Sequence, residues 1–166
     1  MRLMANLLML AILVVIGGAV AGYGVMTYQD QQAAIDRAEP VDGVIVESSF
    51  TEGTDSDGDR VFHVTIEFEY EYDGELYRSD RKQPGEGFSS EDTRAEANSV
   101  LESYPEGETV TVHVDPEQPD EGFLEASIPR VTYFFIGFGV LFAGASMLFA
   151  VGAVLSSIKR LLGGPL

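Results

Sequence analysis

The chain has no cysteine and no tryptophan, and only two of its 166 residues are lysine. Without thiols there is no disulfide framework, no thiolate metal site and no cysteine nucleophile. No glycine-rich phosphate loop with its lysine occurs, nor a nucleophile-elbow serine motif. Cations are few altogether: ten lysines and arginines stand against 27 aspartates and glutamates, for a formal net charge of −17. Carboxylates are missing from both ends, with none before Asp30 and none after Glu125. Only six basic residues accompany the 27 acidic ones in between, so that region carries −21. A soluble region this acidic repels nucleic acid and anionic lipid surfaces.

The uncharged ends are long and apolar. Leu7–Tyr28 and Val131–Leu155 contain no aspartate, glutamate, histidine, lysine or arginine. At 1.5 Å rise per residue each covers more than the ~30 Å of a bilayer's hydrocarbon core. The absence of intramembrane charge argues against an ion or proton path through them. Two readings compete for the first span. Arg2, the run Leu7–Ile16 and Ala19-Val20-Ala21 imitate a cleavable secretory signal. Apolar residues continuing to Met26, with Tyr23 and Tyr28 at interfacial positions, favour a retained anchor. Gly18 and Gly22 in the first span, and Gly139 and Ala143 in the second, form small-xxx-small faces suited to another helix, in a partner or a second copy. Arg2 precedes the first span, and Lys159 and Arg160 follow the second. The positive-inside rule therefore expects both termini in the cytoplasm and the acidic region outside it.

Between the spans, Val61–Tyr72 alternates without interruption. Phe62, Val64, Ile66, Phe68, Tyr70 and Tyr72 fall on one side, and His63, Thr65, Glu67, Glu69 and Glu71 on the other. This is the pattern of a strand buried on one face. Asp73-Gly74 supplies the positive-φ pair of a tight hairpin, which sets Tyr72 opposite Glu75, Tyr70 opposite Tyr77 and Glu69 opposite Arg78. Val41–Ser49 reads as an earlier strand, Thr109–Val114 as a later one, and Gly122–Glu125 as a short last one. Phe50–Asp59 is expected to be a mobile hairpin loop. Ser89–Ser103 is expected to be a helix capped by Ser89 or Ser90, with Ala97, Val100, Leu101 and Tyr104 on its apolar stripe.

Four pieces stand in order here: Gly43-Val-Ile-Val46, Glu69-Tyr-Glu-Tyr-Asp-Gly-Glu-Leu-Tyr77, Tyr104-Pro-Glu-Gly-Glu-Thr-Val-Thr-Val112 and Val114-Asp-Pro-Glu-Gln-Pro119. Together with the flanking spans they resemble the domain-of-unknown-function family 3592, over about Asp42 to Leu124. The resemblance implies a small β domain flanked by membrane helices, and it brings no activity, cofactor or catalytic residue. His113-Val114 stands where the family usually has an aromatic before the Asp-Pro turn. Eight arginines beside two lysines, in so acidic a chain, also look like the proteins of salt-in halophilic archaea. Molar salt shortens the Debye length to about 3 Å and screens the self-repulsion.

Few residues suggest chemistry. Asp55, Asp57 and Asp59 alternate around Gly58 and offer hard oxygen ligands for a cation such as calcium. Glycine falls at position four and Ile66 at position twelve, where an EF-hand has glycine at six and glutamate at twelve, so a solvated acidic turn is the bland alternative. His63 and His113 could share a metal with Glu67 if their strands were neighbours.

The expected architecture is mainly β (α+β): a small antiparallel β barrel or sandwich of about five strands with one crossover helix, flanked by two transmembrane helices. Its segments are a first span (1–28), a polar linker (29–40), an acidic β domain (41–126), a second span (130–156) and a cytoplasmic tail (157–166). The expected function is a membrane-anchored, extracytoplasmic, non-catalytic interaction or accessory module without a cofactor. A cation-responsive domain using Asp55–Asp59 and a cell-envelope hydrolase are the alternatives.

Overall fold

The computed structural model describes residues 2–162, with side chains left out at 2–7, 157 and 160–162. The end of the expected tail, 163–166, and the side chains of Arg2 and Arg160, on which the orientation rests, lie outside the described residues. The chain divides into two units, 1–29 with 130–166 and 30–129.

The first unit is a pair of long helices, α1 (Arg2–Arg37) up to Gln29 and α3 (Arg130–Leu162). Both are long and apolar enough to cross a membrane, and in each the most apolar window is only 11% buried. A core helix of a water-soluble domain would be mostly buried; these turn Leu8, Ile12, Val15, Phe138 and Leu148 outward. Where they meet, the residues are small. A Cβ on Gly139 would overlap the backbone of Ala21 and come within 2.7 Å of the Gly17 carbonyl oxygen. A Cβ on Gly17 would come equally close to the Ala143 nitrogen, at 2.7 Å. Small residues are what permit a close backbone approach of this kind. Tyr23 packs edge-on against Phe135, with ring centroids 6.1 Å apart, and Tyr28 meets Tyr133 at 6.0 Å.

The second unit begins with the last turns of α1, from Asp30 to Arg37, so the expected polar linker is helical for most of its length. Pro40 falls just beyond the helix end, where its missing N–H costs nothing. Eight strands follow: β1 (Glu39–Thr54), β2 (Arg60–Tyr72), β3 (Glu75–Ser79), β4 (Arg81–Gln83), β5 (Glu86–Gly87), β6 (Ser90–Glu91), β7 (Thr109–Asp115) and β8 (Gln118–Phe123). They form one sheet in the order β3-β2-β1-β7-β8-β4-β5, with β6 added beside the start of β2. All pairings are antiparallel except β4 with β8. The helix α2 (Arg94–Ser103) packs Ala97, Val100 and Leu101 against the core.

The alternating strand is the spine of this core. Phe62, Val64, Ile66, Phe68 and Tyr70 are buried with Ile45, Val112 and Val114. Each such side chain withdrawn from water contributes about 1.5–3 kcal/mol. The Asp73-Gly74 turn has φ of 52° and 82°, and the register past it is as expected: Tyr72 opposite Glu75, Tyr70 opposite Tyr77, Glu69 opposite Arg78.

Several expectations are corrected. The sheet is open and mixed rather than a closed antiparallel barrel or a sandwich, and it has eight strands rather than about five. Where β3 approaches β8 no ladder forms. Pro119 has no N–H to give, and the Gly122 N–H is taken by the Tyr70 hydroxyl at 2.9 Å, which itself donates to the Pro119 carbonyl at 2.7 Å. The supposed mobile loop Phe50–Asp59 is strand as far as Thr54, because Phe50 lies edge-on to Phe62 at 5.7 Å and holds the hairpin in register. The last strand is Gln118–Phe123, not Gly122–Glu125. The crossover helix starts four residues after Ser90. Thr93 is its N-cap, accepting from the Glu96 N–H at 3.2 Å while the Glu96 carboxylate accepts from the Thr93 N–H at 3.1 Å. That reciprocal pair outcompetes the serines.

Candidate functional site

Every expected site residue outside the spans lies in the β unit. Asp55, Asp57 and Asp59 make the turn between β1 and β2. One oxygen of Asp55, Oδ1, accepts from the backbone N–H of Asp57 at 3.0 Å and of Asp59 at 2.8 Å. The Asp55 N–H donates to the Asp59 carbonyl at 2.9 Å. The carboxylate thus ties its own turn, as aspartate commonly does at such positions. Among the described residues no three histidine, aspartate or glutamate side chains are grouped so as to hold a metal ion.

The two histidines are separated. β1 lies between β2, which carries His63, and β7, which carries His113, so the rings do not share a site with Glu67. The His113 ring stacks on buried Phe123, 5.7 Å between centroids. Here an imidazole fills the place at which the resemblance expects an aromatic. His63 Nδ1 is 2.7 Å from Ser90 Oγ, a contact that strand β6 creates by pairing His63 with Ser90. A serine beside a histidine is half of a nucleophilic device, but the other ring nitrogen, Nε2, faces Gly53, where a Cβ would come within 2.6 Å. Among the described residues no carboxylate orients the ring, and both residues are exposed. A base needs that orienting partner to deprotonate a hydroxyl efficiently.

One bidentate ion pair in the unit falls outside the expected site residues. Asp115, buried in the Asp-Pro turn, accepts from Arg37 Nε at 3.0 Å and Nη2 at 2.6 Å, and from the Glu117 N–H at 3.0 Å. Arg37 belongs to the last turn of α1, where a cation also suits the helix dipole. Its guanidinium holds the Asp115 carboxyl below the usual aspartate range, against the opposing effect of burial. Six residues earlier on α1, Gln31 donates to the Pro84 carbonyl at 3.0 Å. These contacts bind the end of α1 to the sheet.

Two further surface regions bring charged side chains together. An open groove of about 370 Å³ between α2 and the sheet is lined by Lys82, Glu91, Glu96, Tyr104 and Glu125 among others. Its charges are committed: Lys82 pairs with Glu125 at 3.5 Å, and Glu96 caps α2. Burial and the neighbouring Glu125 push the Tyr104 phenol above its ordinary value. On the solvent face of the sheet, Glu47 on β1 lies directly opposite Glu67 on β2. Arg78 on β3 reaches Glu67 at 3.2 Å and Glu69 at 3.6 Å. Among the described residues, Glu47 has the Ser49 hydroxyl, which donates to it at 3.0 Å, and no basic partner.

Of the small residues expected to face another helix, Gly139 and Ala143 pack against Gly17 and Ala21 of the same chain. A Cβ on Gly18 or Gly22 would meet nothing within 4 Å. Spacing alone could not separate the Gly17 side of α1 from the Gly18 side.

The family described as a domain of unknown function, DUF3592, matches residues 41–129, more than half of the chain. No curated protein matches it.

Proposed function

The chain belongs to the DUF3592 family, and from that premise we propose that it is a membrane-anchored, non-catalytic interaction or accessory module. Its β unit presents a surface to a partner in the same membrane. The observation that carries the reading is the inverted packing of the helical unit: small residues inside, large apolar ones outside, with 11% of each apolar window buried. Such an exterior suits a hydrocarbon surrounding. Arg2, Lys159 and Arg160 favour cytoplasmic termini and an extracytoplasmic β unit. The unit's excess of carboxylates suits a highly saline exterior of the halophilic kind.

Chemical cross-linking in native membranes tests the proposal by recovering a defined protein bound through residues 41–126. A chain that cross-links to nothing under those conditions overturns it. Protease added to sealed cells should remove the β unit and leave both helices; a protected β unit would reverse the orientation.

A further inference from the structure

The β1 strand is much longer than the strand it shares its second edge with. Strand β7 accompanies it only from Glu39 to Val44, and the last contacts on that side are the Ile45 N–H to the Glu108 carbonyl at 3.0 Å and the Gly107 N–H to the Ile45 carbonyl at 2.8 Å. From Glu47 to Thr54 the strand continues, paired on the β2 side and, among the described residues, on no other. Alternate N–H and C=O groups along this stretch therefore point outward in a row, as on any sheet edge. Lysine and proline, common protections of an edge, are both missing from Glu47–Thr54, and α2 touches the stretch through Arg94, which reaches Glu52 at 3.5 Å and lies over the Phe50 ring at 5.5 Å. A bulge at its beginning, between Ile45 and Glu47, marks where β7 departs.

A second, independent observation indicates the chemistry of the occupant. Glu47 and Glu67 stand directly opposite each other, an arrangement that destabilises a strand pair. The nearby cation, Arg78, is on the far side of β2 and is taken by Glu67 and Glu69. Glu47, at the open edge, has no basic partner among the described residues. A lysine or arginine on a strand lying against this edge would fall beside Glu47 and relieve the like-charge pair.

We infer that the outer edge of β1, Glu47–Thr54, is a strand-addition site for an extended, basic segment of a partner protein. Backbone hydrogen bonds hold the segment, and Glu47 selects its charge. The inference rests on the interaction-module reading and names the surface and the kind of partner. A second copy of this chain is a poorer occupant, because its own Glu47–Thr54 would bring two glutamates and no lysine or arginine to the contact beside Glu47.

The test uses the full chain in detergent at low ionic strength and a fluorescent octapeptide of alternating lysine and threonine. Its control is the same peptide with alternate backbone nitrogens methylated, which keeps the charge but cannot extend a sheet. The expected result is binding by anisotropy that weakens about tenfold or more with the methylated peptide. Hydrogen exchange should show new protection confined to 47–54 and its β2 neighbours. Glu47→Lys should weaken binding, and Glu47→Gln, which keeps the side chain's shape, should do so to a lesser degree. Equal binding of both peptides, or no protection at 47–54, overturns the inference. So does efficient disulfide dimerisation of a Thr51→Cys chain, whose single thiol would report a second copy at the edge. Failure of the peptide leaves the interaction-module reading standing as long as native cross-linking still recovers a partner through another face.

Discussion

The helical unit and the β unit solve the same problem in opposite directions. In the β unit the large side chains are inside: Phe68 is 0% exposed and Ile66 1%, while glutamates alternate outward. In the helical unit the smallest residues are inside and Leu148 is 76% exposed. A hydrophobic run in the sequence is thus not a core; the period of the run decides. Alternation with glutamate gives one wet and one dry face, whereas an unbroken run gives an element that is apolar all round and needs a non-aqueous surrounding.

The largest expected effect breaks the comparison most directly. Phe68→Ala should destabilise the β unit by about 3–5 kcal/mol, whereas Leu148→Ala should leave the chain's stability in detergent almost unchanged. Urea titration followed by tyrosine fluorescence and circular dichroism measures both, and equal losses would mean that the helical exterior is a protein core after all. Next, Arg37→Ala leaves a buried carboxylate without its cation and should cost about 1–3 kcal/mol. Because Asp115 titrates below its ordinary value of about 3.9 in the folded state, the bridge contributes fully above that value and is lost as pH falls through the lowered one. The variant should therefore lose part of the wild-type's acid-induced destabilisation. Acid titration of both proteins reads the difference, and identical profiles would show the bridge to be idle.

Within the helical unit, Gly139→Val should separate the helices and cost about 1–3 kcal/mol through overpacking, while Gly18→Val should be close to neutral. Thermal melts in detergent distinguish them; equal effects would mean that Gly18 also faces a helix. The smallest effect is local. Thr93→Ala should lower the stability of the β unit by about 1 kcal/mol through loss of the α2 cap.

Much of the β unit could be read in advance, because period and turn chemistry are local properties. The core of β2, its hairpin register and the apolar stripe Ala97-Val100-Leu101 all follow from side chains a few positions apart. What could not be read depends on distant pairings. Ser90 becomes a strand residue only because β6 finds His63, and Phe50 stays in β1, opposite Val64, with its ring against the diagonal Phe62. Asp115 looks like an ordinary Asp-Pro turn residue until Arg37, 78 positions earlier, reaches it. The acidic turn at Asp55–Asp59 was conspicuous for composition, yet its geometry is explained by the turn itself.

The Tyr70 hydroxyl between Pro119 and Gly122 has one more consequence. A Cβ at position 122 would come within 2.6 Å of that oxygen, so only the residue without a side chain can lie under it. If the β7–β8 hairpin slid by a single position, Glu121 or Phe123 would arrive there instead and collide. The phenol thus acts as a gauge of strand alignment. It tolerates no insertion or deletion between Asp115 and Gly122 that is not made up within the turn.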